Sequence, residues 1–230
     1  MPYLRKGNPP VKIPWAIILV TVAISFEARA ENLSFDFKDP RGVSNVAFSL
    51  DAPLESINGT AKGIAGTVIV DPDDLSTAKG KIVVATKSLV VPNPLMRIHL
   101  LSKDWLNARS NPQISFEIKK VGRVTKKGAH AAEVEVIGAF TLNQVTKEIV
   151  TKADISYLPG KLAEITNNKV HGDLLVVRSN FKIRRSDFGI RPGEFLDRVA
   201  DEISLSVNII GRAPKRLEIE ISRRAKALAS

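Results

Sequence analysis

From residue 33 to residue 210, apolar side chains recur at every second position in stretch after stretch of this sequence. Ile203, Leu205, Val207 and Ile209 alternate with Glu202, Ser204, Ser206 and Asn208. Ile149, Thr151, Ala153, Ile155 and Tyr157 form a second stripe, and Val46, Phe48 and Leu50 a third. Ile114, Phe116 and Ile118 repeat the rule, as do Val134 and Val136. Successive side chains of a strand point to opposite faces, so each stripe marks the apolar face of a half-buried antiparallel strand. Turn signals separate them at Asp39-Pro40, Asn58-Gly59, Asp71–Asp74, Thr125–Gly128, Asn143-Gln144 and Pro159-Gly160. About eight strands result, at the spacing of a sandwich or barrel. One unbroken set of stripes favours closure, because a closed sheet has no exposed edge. The expected fold class is therefore all-β, a single antiparallel barrel.

One segment departs from period two. In Pro94–Asn107, Leu95, Ile98, Leu101 and Trp105 are spaced by three or four, which is helical. Asn93 suits the N-cap and Pro94 the first helical position. Ser102 is placed to cap a second turn, so one helix or two short ones fit equally.

The two ends differ from this middle. Arg5, Lys6 and Lys12 precede the apolar run Ile13–Ile24, and Ala28-Arg29-Ala30 offers a small-residue cleavage site before Glu31. That order predicts a signal peptide over 1–30, with a retained anchor as the alternative. Export to a bacterial periplasm is the expected destination. Of the formal charge of +10, residues 31–210 carry only +3, with 24 basic against 21 acidic side chains. The rest sits at the termini. Residues 211–230 read as a basic tail able to touch a membrane surface transiently, with Leu217, Ile221 and Leu228 as a weak apolar stripe. Nucleic acid is not an expected partner, since no basic stripe interleaves with aromatic residues.

Chemistry-bearing patterns are sparse. There is no cysteine, which excludes disulfides, thiolate metal sites and cysteine nucleophiles. His99, His130 and His171 lie on separate segments without ligand spacing, so no metal and no cofactor is expected. His130 and His171 read as strand-end residues. No nucleophile elbow, P-loop or dinucleotide fingerprint occurs. Asp71, Asp73 and Asp74 lack the glycine and distal glutamate of a calcium loop and read as a solvated turn.

The densest cluster is Lys182–Gly193, with three arginines, Asp187, Phe188 and two glycines at a strand-to-loop transition. Within it, Arg185-Ser186-Asp187-Phe188-Gly189-Ile190 resembles the R-x-D-F-G segment of the YceI-like family of secreted, lipocalin-like polyisoprenoid-binding proteins. Three further blocks agree in order. His99–Ala108 followed by Asn111–Phe116 resembles the family's H-L-x-S-x-D-F-F-D-A and Y-P-x-I-x-F block. Gly138–Lys147 resembles G-x-L-T-I-x-G-V-T-K, and Ala200–Leu205 the terminal V-S-D-E-V-x-I strand. The resemblance spans about residues 33–210. Met96-Arg97 stands where the family often has Arg-Asp, and Gln144 replaces a usual turn glycine, which predicts a different turn there.

The resemblance implies a lipocalin-like barrel over 31–210 whose lumen holds an isoprenoid lipid or quinone, without catalysis. Phe48, Phe116, Ile118, Phe140, Ile155, Phe181 and Leu205 are the candidate lumen contacts; generic core is the competing role for each. His99, Arg97, Arg185 and Asp187 are the candidate head-group contacts, on the expectation that the helical insertion and the Arg184–Gly193 loop meet at one barrel mouth. The competing reading has Arg185 pairing Asp187 to lock that loop. Two other functions remain open: an envelope module with a solid barrel, and a hydrolase using His99 with Asp104 or Asp187.

Overall fold

The computed structural model describes residues 32–215, so the signal peptide and most of the tail lie outside the described residues. Eleven strands form one antiparallel sheet. Eight of them close into a barrel: β1 (Leu33–Asp36), β4 (Ile64–Asp71), β5 (Asp74–Ala85), β7 (Gln113–Gly128), β8 (Ala131–Leu142), β9 (Val145–Leu158), β10 (Gly172–Arg184) and β11 (Glu202–Pro214). They follow one another in that order, and β11 returns to β1 through Asp36 and Arg212. The remaining strands, β2 (Asn45–Asp51), β3 (Ser56–Ala61) and the two-residue β6 (Leu89–Val90), continue the sheet from β11 and bury Phe48, Leu50, Ala61 and Leu89 in the core.

This branch explains the closure. The edge of β11 is shared lengthwise, with β2 pairing Ser204–Asn208 and β1 meeting Arg212. Between them the chain crosses at Phe37–Ser44, where Ser44 is buried and its Oγ accepts the Ile210 N–H at 3.1 Å. Asp39 shapes the crossing by accepting the backbone N–H groups of Arg41 at 2.9 Å and Ser44 at 2.6 Å. Burial alone would raise the Asp39 pKa, but these N–H donors outweigh it and hold the pKa below the ordinary value.

The two ends of the barrel are unlike. At one, Phe35 and Phe37 are fully buried among Val68, Val70, Leu175 and Ile209. At the other lie helix α1 (Pro94–Leu101), the β8–β9 turn and the loop between β10 and β11. Asn93 caps α1 as expected, accepting the Leu95 and Met96 N–H groups at 2.9 and 3.2 Å. After Leu101 the insertion continues in turns rather than a second helix.

Four expectations need correction. Asn58-Gly59 is no turn but the middle of β3, where Gly59 faces Phe48 and leaves the space its ring occupies. Thr125–Gly128 belongs to β7, and the chain reverses at Ala129-His130 instead. The tail does not begin at 211, because β11 pairs with β10 as far as Pro214. The Asn143-Gln144 turn keeps the two left-handed residues of a tight hairpin despite lacking glycine, with φ of 50° and 63°. Asn111 explains how: its amide bonds Asn143 at 2.7 Å, and its oxygen accepts from Gln144 at 2.8 Å.

Candidate functional site

The barrel encloses a cavity of about 980 Å³. Its wall follows from the period-two stripes: Leu175, Val177, Phe181 and Ile183 on β10, Ile203, Leu205, Val207 and Ile209 on β11, and Ala153 and Ile155 on β9 all border it. All seven predicted lumen residues (Phe48, Phe116, Ile118, Phe140, Ile155, Phe181 and Leu205) line this space. Phe140 anchors an aromatic cluster, edge-on to Phe181 at 6.1 Å and to Phe188 at 5.5 Å. Phe116 lies against Gly138, whose missing side chain makes room for the ring.

Away from the mouth the wall carries one polar pair. The hydroxyls of Thr151 and Ser179 are 2.9 Å apart, and Ser179 Oγ donates to the Lys152 carbonyl at 2.7 Å. Ser115 also borders the cavity, but its register between Ile114 and Phe116 puts it on the opposite face of β7.

The α1 insertion and the β10–β11 loop do meet at the mouth. Arg191 donates to the Asp104 carbonyl at 3.1 Å and to the Glu194 carboxylate at 2.8 Å. Its guanidinium sits 5.8 Å from the Trp105 ring centre and 5.3 Å from that of Phe195. His99 also borders the cavity here.

The other predicted head-group residues have different roles. Arg185 is 1% exposed and does not pair with Asp187. Its Nε donates to the Ala200 carbonyl, Nη1 to those of Ile190 and Arg191, and Nη2 to those of Glu194 and Val199. All five N–H groups of the guanidinium are thereby engaged. Burial pushes its pKa down, while the charges of Asp201 and Glu194 oppose that shift. Asp187 is exposed on the 3-10 turn Ser186–Phe188 and does not line the cavity. Asp201 is the carboxylate that holds this turn, accepting from Ser186 N at 2.9 Å and Ser186 Oγ at 2.7 Å. Arg97 points away from the lumen and donates to the carbonyls of Leu89 at 2.9 Å and Lys87 at 2.8 Å.

The side chains of Asn111 and Asn143 complete the mouth, and the sequence reading missed both. Asn143 Nδ2 donates to the Phe188 carbonyl at 3.1 Å, and Asn111 Nδ2 to that of Leu106 at 2.9 Å. One small network thus ties the α1 insertion, the β8–β9 turn and the β10–β11 loop together. No cluster of metal-binding side chains occurs among the described residues.

The model of the YceI-like domain matches residues 20–210. The chain belongs to the YceI-like family. Protein YceI of Escherichia coli O157:H7 is 28% identical over 153 residues, covering 66% of this chain and 72% of that protein. A UPF0312 protein of Pseudomonas paraeruginosa is 27% identical over 146 residues, or 64% of this chain and 69% of its own length. Among solved structures, BcnA of Burkholderia cenocepacia superposes with a TM-score of 0.58 at 17% identity, over 73% of this chain and 95% of its own. A polyisoprenoid binding domain from Saccharophagus degradans gives 0.58 at 10% identity, over 80% of this chain and all of that domain. These likenesses establish the YceI-like barrel as the fold.

Proposed function

We propose that this YceI-like chain is an exported carrier that holds one isoprenoid amphiphile, a polyprenyl lipid or quinone, inside its barrel. The observation that carries the reading is the apolar cavity of about 980 Å³, at the upper end of small-molecule sites. A barrel packed solid, as a purely structural envelope module would have, leaves no such space. Each Å² of chain surface removed from water contributes roughly 25 cal/mol, so binding needs no catalytic group. The Saccharophagus degradans domain of the same fold is described as binding polyisoprenoid, which supports the ligand class. The charged, apolar and small-residue order of residues 1–30 supports export to the periplasm, and the basic C-terminal residues suit brief contact with an anionic membrane surface.

The test is organic extraction of the full chain, purified from a bacterial host without detergent, followed by mass spectrometry. The expected result is a polyprenyl lipid or quinone near one per chain. Recovery of none, together with no uptake of added polyprenol, refutes the proposal.

A further inference from the structure

We infer that the Thr151–Ser179 pair is a polar station in the barrel wall that accepts a hydrogen bond from an uncharged hydroxyl of the bound amphiphile, so that the ligand's polar group lies deep inside rather than at the mouth. The inference rests on the lipid-binding reading above and sharpens its ligand class.

Three of the four arginines at the mouth are already engaged by the protein. Arg185 gives all five N–H groups to backbone carbonyls. Arg191 is held by Asp104 and Glu194 and Arg97 by two carbonyls, while Arg198 is exposed beside Asp197 at 3.8 Å. A phosphate head group would have to displace the bonds of Arg185, Arg191 or Arg97, or rest on the exposed Arg198 alone.

Ser179 has one hydroxyl proton, and the 2.7 Å bond to the Lys152 carbonyl takes it. Thr151 Oγ1 lies 3.4 Å from the same carbonyl but only 2.9 Å from Ser179 Oγ, so its proton goes to the nearer Ser179 oxygen. Both protons are committed, and both residues border the cavity, so what the pair offers a ligand there is the unused lone pairs of Thr151 Oγ1. The station is therefore an acceptor. A ligand hydroxyl bonds it at no loss to the protein, whereas a ligand carbonyl must first break the Thr151–Ser179 bond. An ionised group is disfavoured, because no counter-charge lines the wall at this height.

Depth completes the placement. Ser179 precedes Arg185 by six residues, which is about 20 Å along an extended strand. With the strand tilt usual in barrels, that is on the order of 15 Å below the mouth. Ala153, Val177 and Phe181 surround the pair on the inward face, so its polarity stands out against an apolar wall.

The test compares a C20 prenol with its methyl ether, which has the same chain but no donor, on the full chain and on Thr151→Val. This substitution keeps the side-chain shape and leaves the Ser179 bond to Lys152 intact. Wild type is expected to bind the prenol about threefold to tenfold tighter than the ether, the range of one neutral hydrogen bond. Thr151→Val frees a lone pair on Ser179 Oγ and should keep part of the preference, whereas Thr151→Val/Ser179→Ala should bind the two equally. Equal binding of prenol and ether by wild type overturns the inference. A preference that survives in Thr151→Val/Ser179→Ala overturns it too, and if that variant also melts lower, the pair is a strand-to-strand latch. If wild type binds neither probe, the lipid-binding reading falls first, an outcome distinct from loss of the preference alone.

Discussion

Replacing Arg185 with alanine should unfasten the barrel mouth rather than merely weaken ligand binding. The guanidinium is 1% exposed and bonds five carbonyls spread over residues 190–200, so it works as the hub around which that loop is wound. Its removal leaves several of these carbonyls without a donor, each costing about 1–3 kcal/mol where water cannot reach. Relief of the buried charge offsets part of this, since burial already lowers the Arg185 pKa. The net loss is on the order of 3–5 kcal/mol, as for breaking other buried charge-assisted sets. At about 2–4 °C per kcal/mol for a domain of this size, the melting temperature should fall by roughly 10 °C. Arg185→Lys should recover only part, because an ammonium has three N–H groups and no planar fork. Asp187→Ala should stay within about 0.5 kcal/mol of wild type, since Asp187 is exposed and not the partner of Arg185. Thermal unfolding followed by circular dichroism reads all three. If Arg185→Ala melts like wild type while losing bound lipid, the guanidinium is a head-group contact and the hub account is wrong.

Two further outcomes follow from the walls and the seam. The Asp39 pKa is lowered on folding, so its contribution to stability is complete above the unfolded value of about 3.9 and is lost as pH falls through the lower folded value. Asp39→Asn should therefore reduce stability at neutral pH and flatten the acid limb of a pH–denaturation series below about pH 4; an unchanged limb removes Asp39 from the seam. Gly138→Ala would place a methyl group against the Phe116 ring and the Glu117 carbonyl. It should cost about 1–3 kcal/mol by overpacking and push the ring into the lumen, and urea denaturation with a polyprenol uptake assay checks both effects.

The inward face of each strand was legible in the sequence because side-chain direction in a strand depends only on parity, whereas parity does not tell an open lumen from a filled one. Phe48, Phe116, Phe140, Phe181 and Leu205 could be assigned to one face without knowing which strands touch. Thr151 could have been singled out on the same basis, as a polar residue in an inward stripe. Asn93 and Pro94 marked the start of α1 because helix caps are local. The mouth was harder to read. Arg185 bonds backbone carbonyls, which every residue has, so its partners leave no trace in residue type. Asp187 looked like its counter-ion by proximity alone, while the carboxylate that orders the turn, Asp201, lies 15 residues away. The Asn111–Asn143 bond spans 32 residues and exists only once β7 and β8 have paired in register. Branching of β2 and β3 off the barrel was hidden for a related reason: alternation fixes which face is apolar, but not where a strand changes neighbours.

Filling the lumen while keeping the barrel tests the central claim most directly. Ala153 and Val177 both border the cavity at mid-height, so Ala153→Phe and Val177→Phe together should occupy the path of an isoprenoid chain. Binding of a C40 polyprenol to the full chain and to this double variant, measured by stoichiometric titration with circular dichroism as the fold control, compares an open with a blocked lumen. The predicted result is one polyprenol per wild-type chain and none on the folded variant. Equal binding by both would place the lipid on the outer surface, and the account of a lumen carrier would be contradicted.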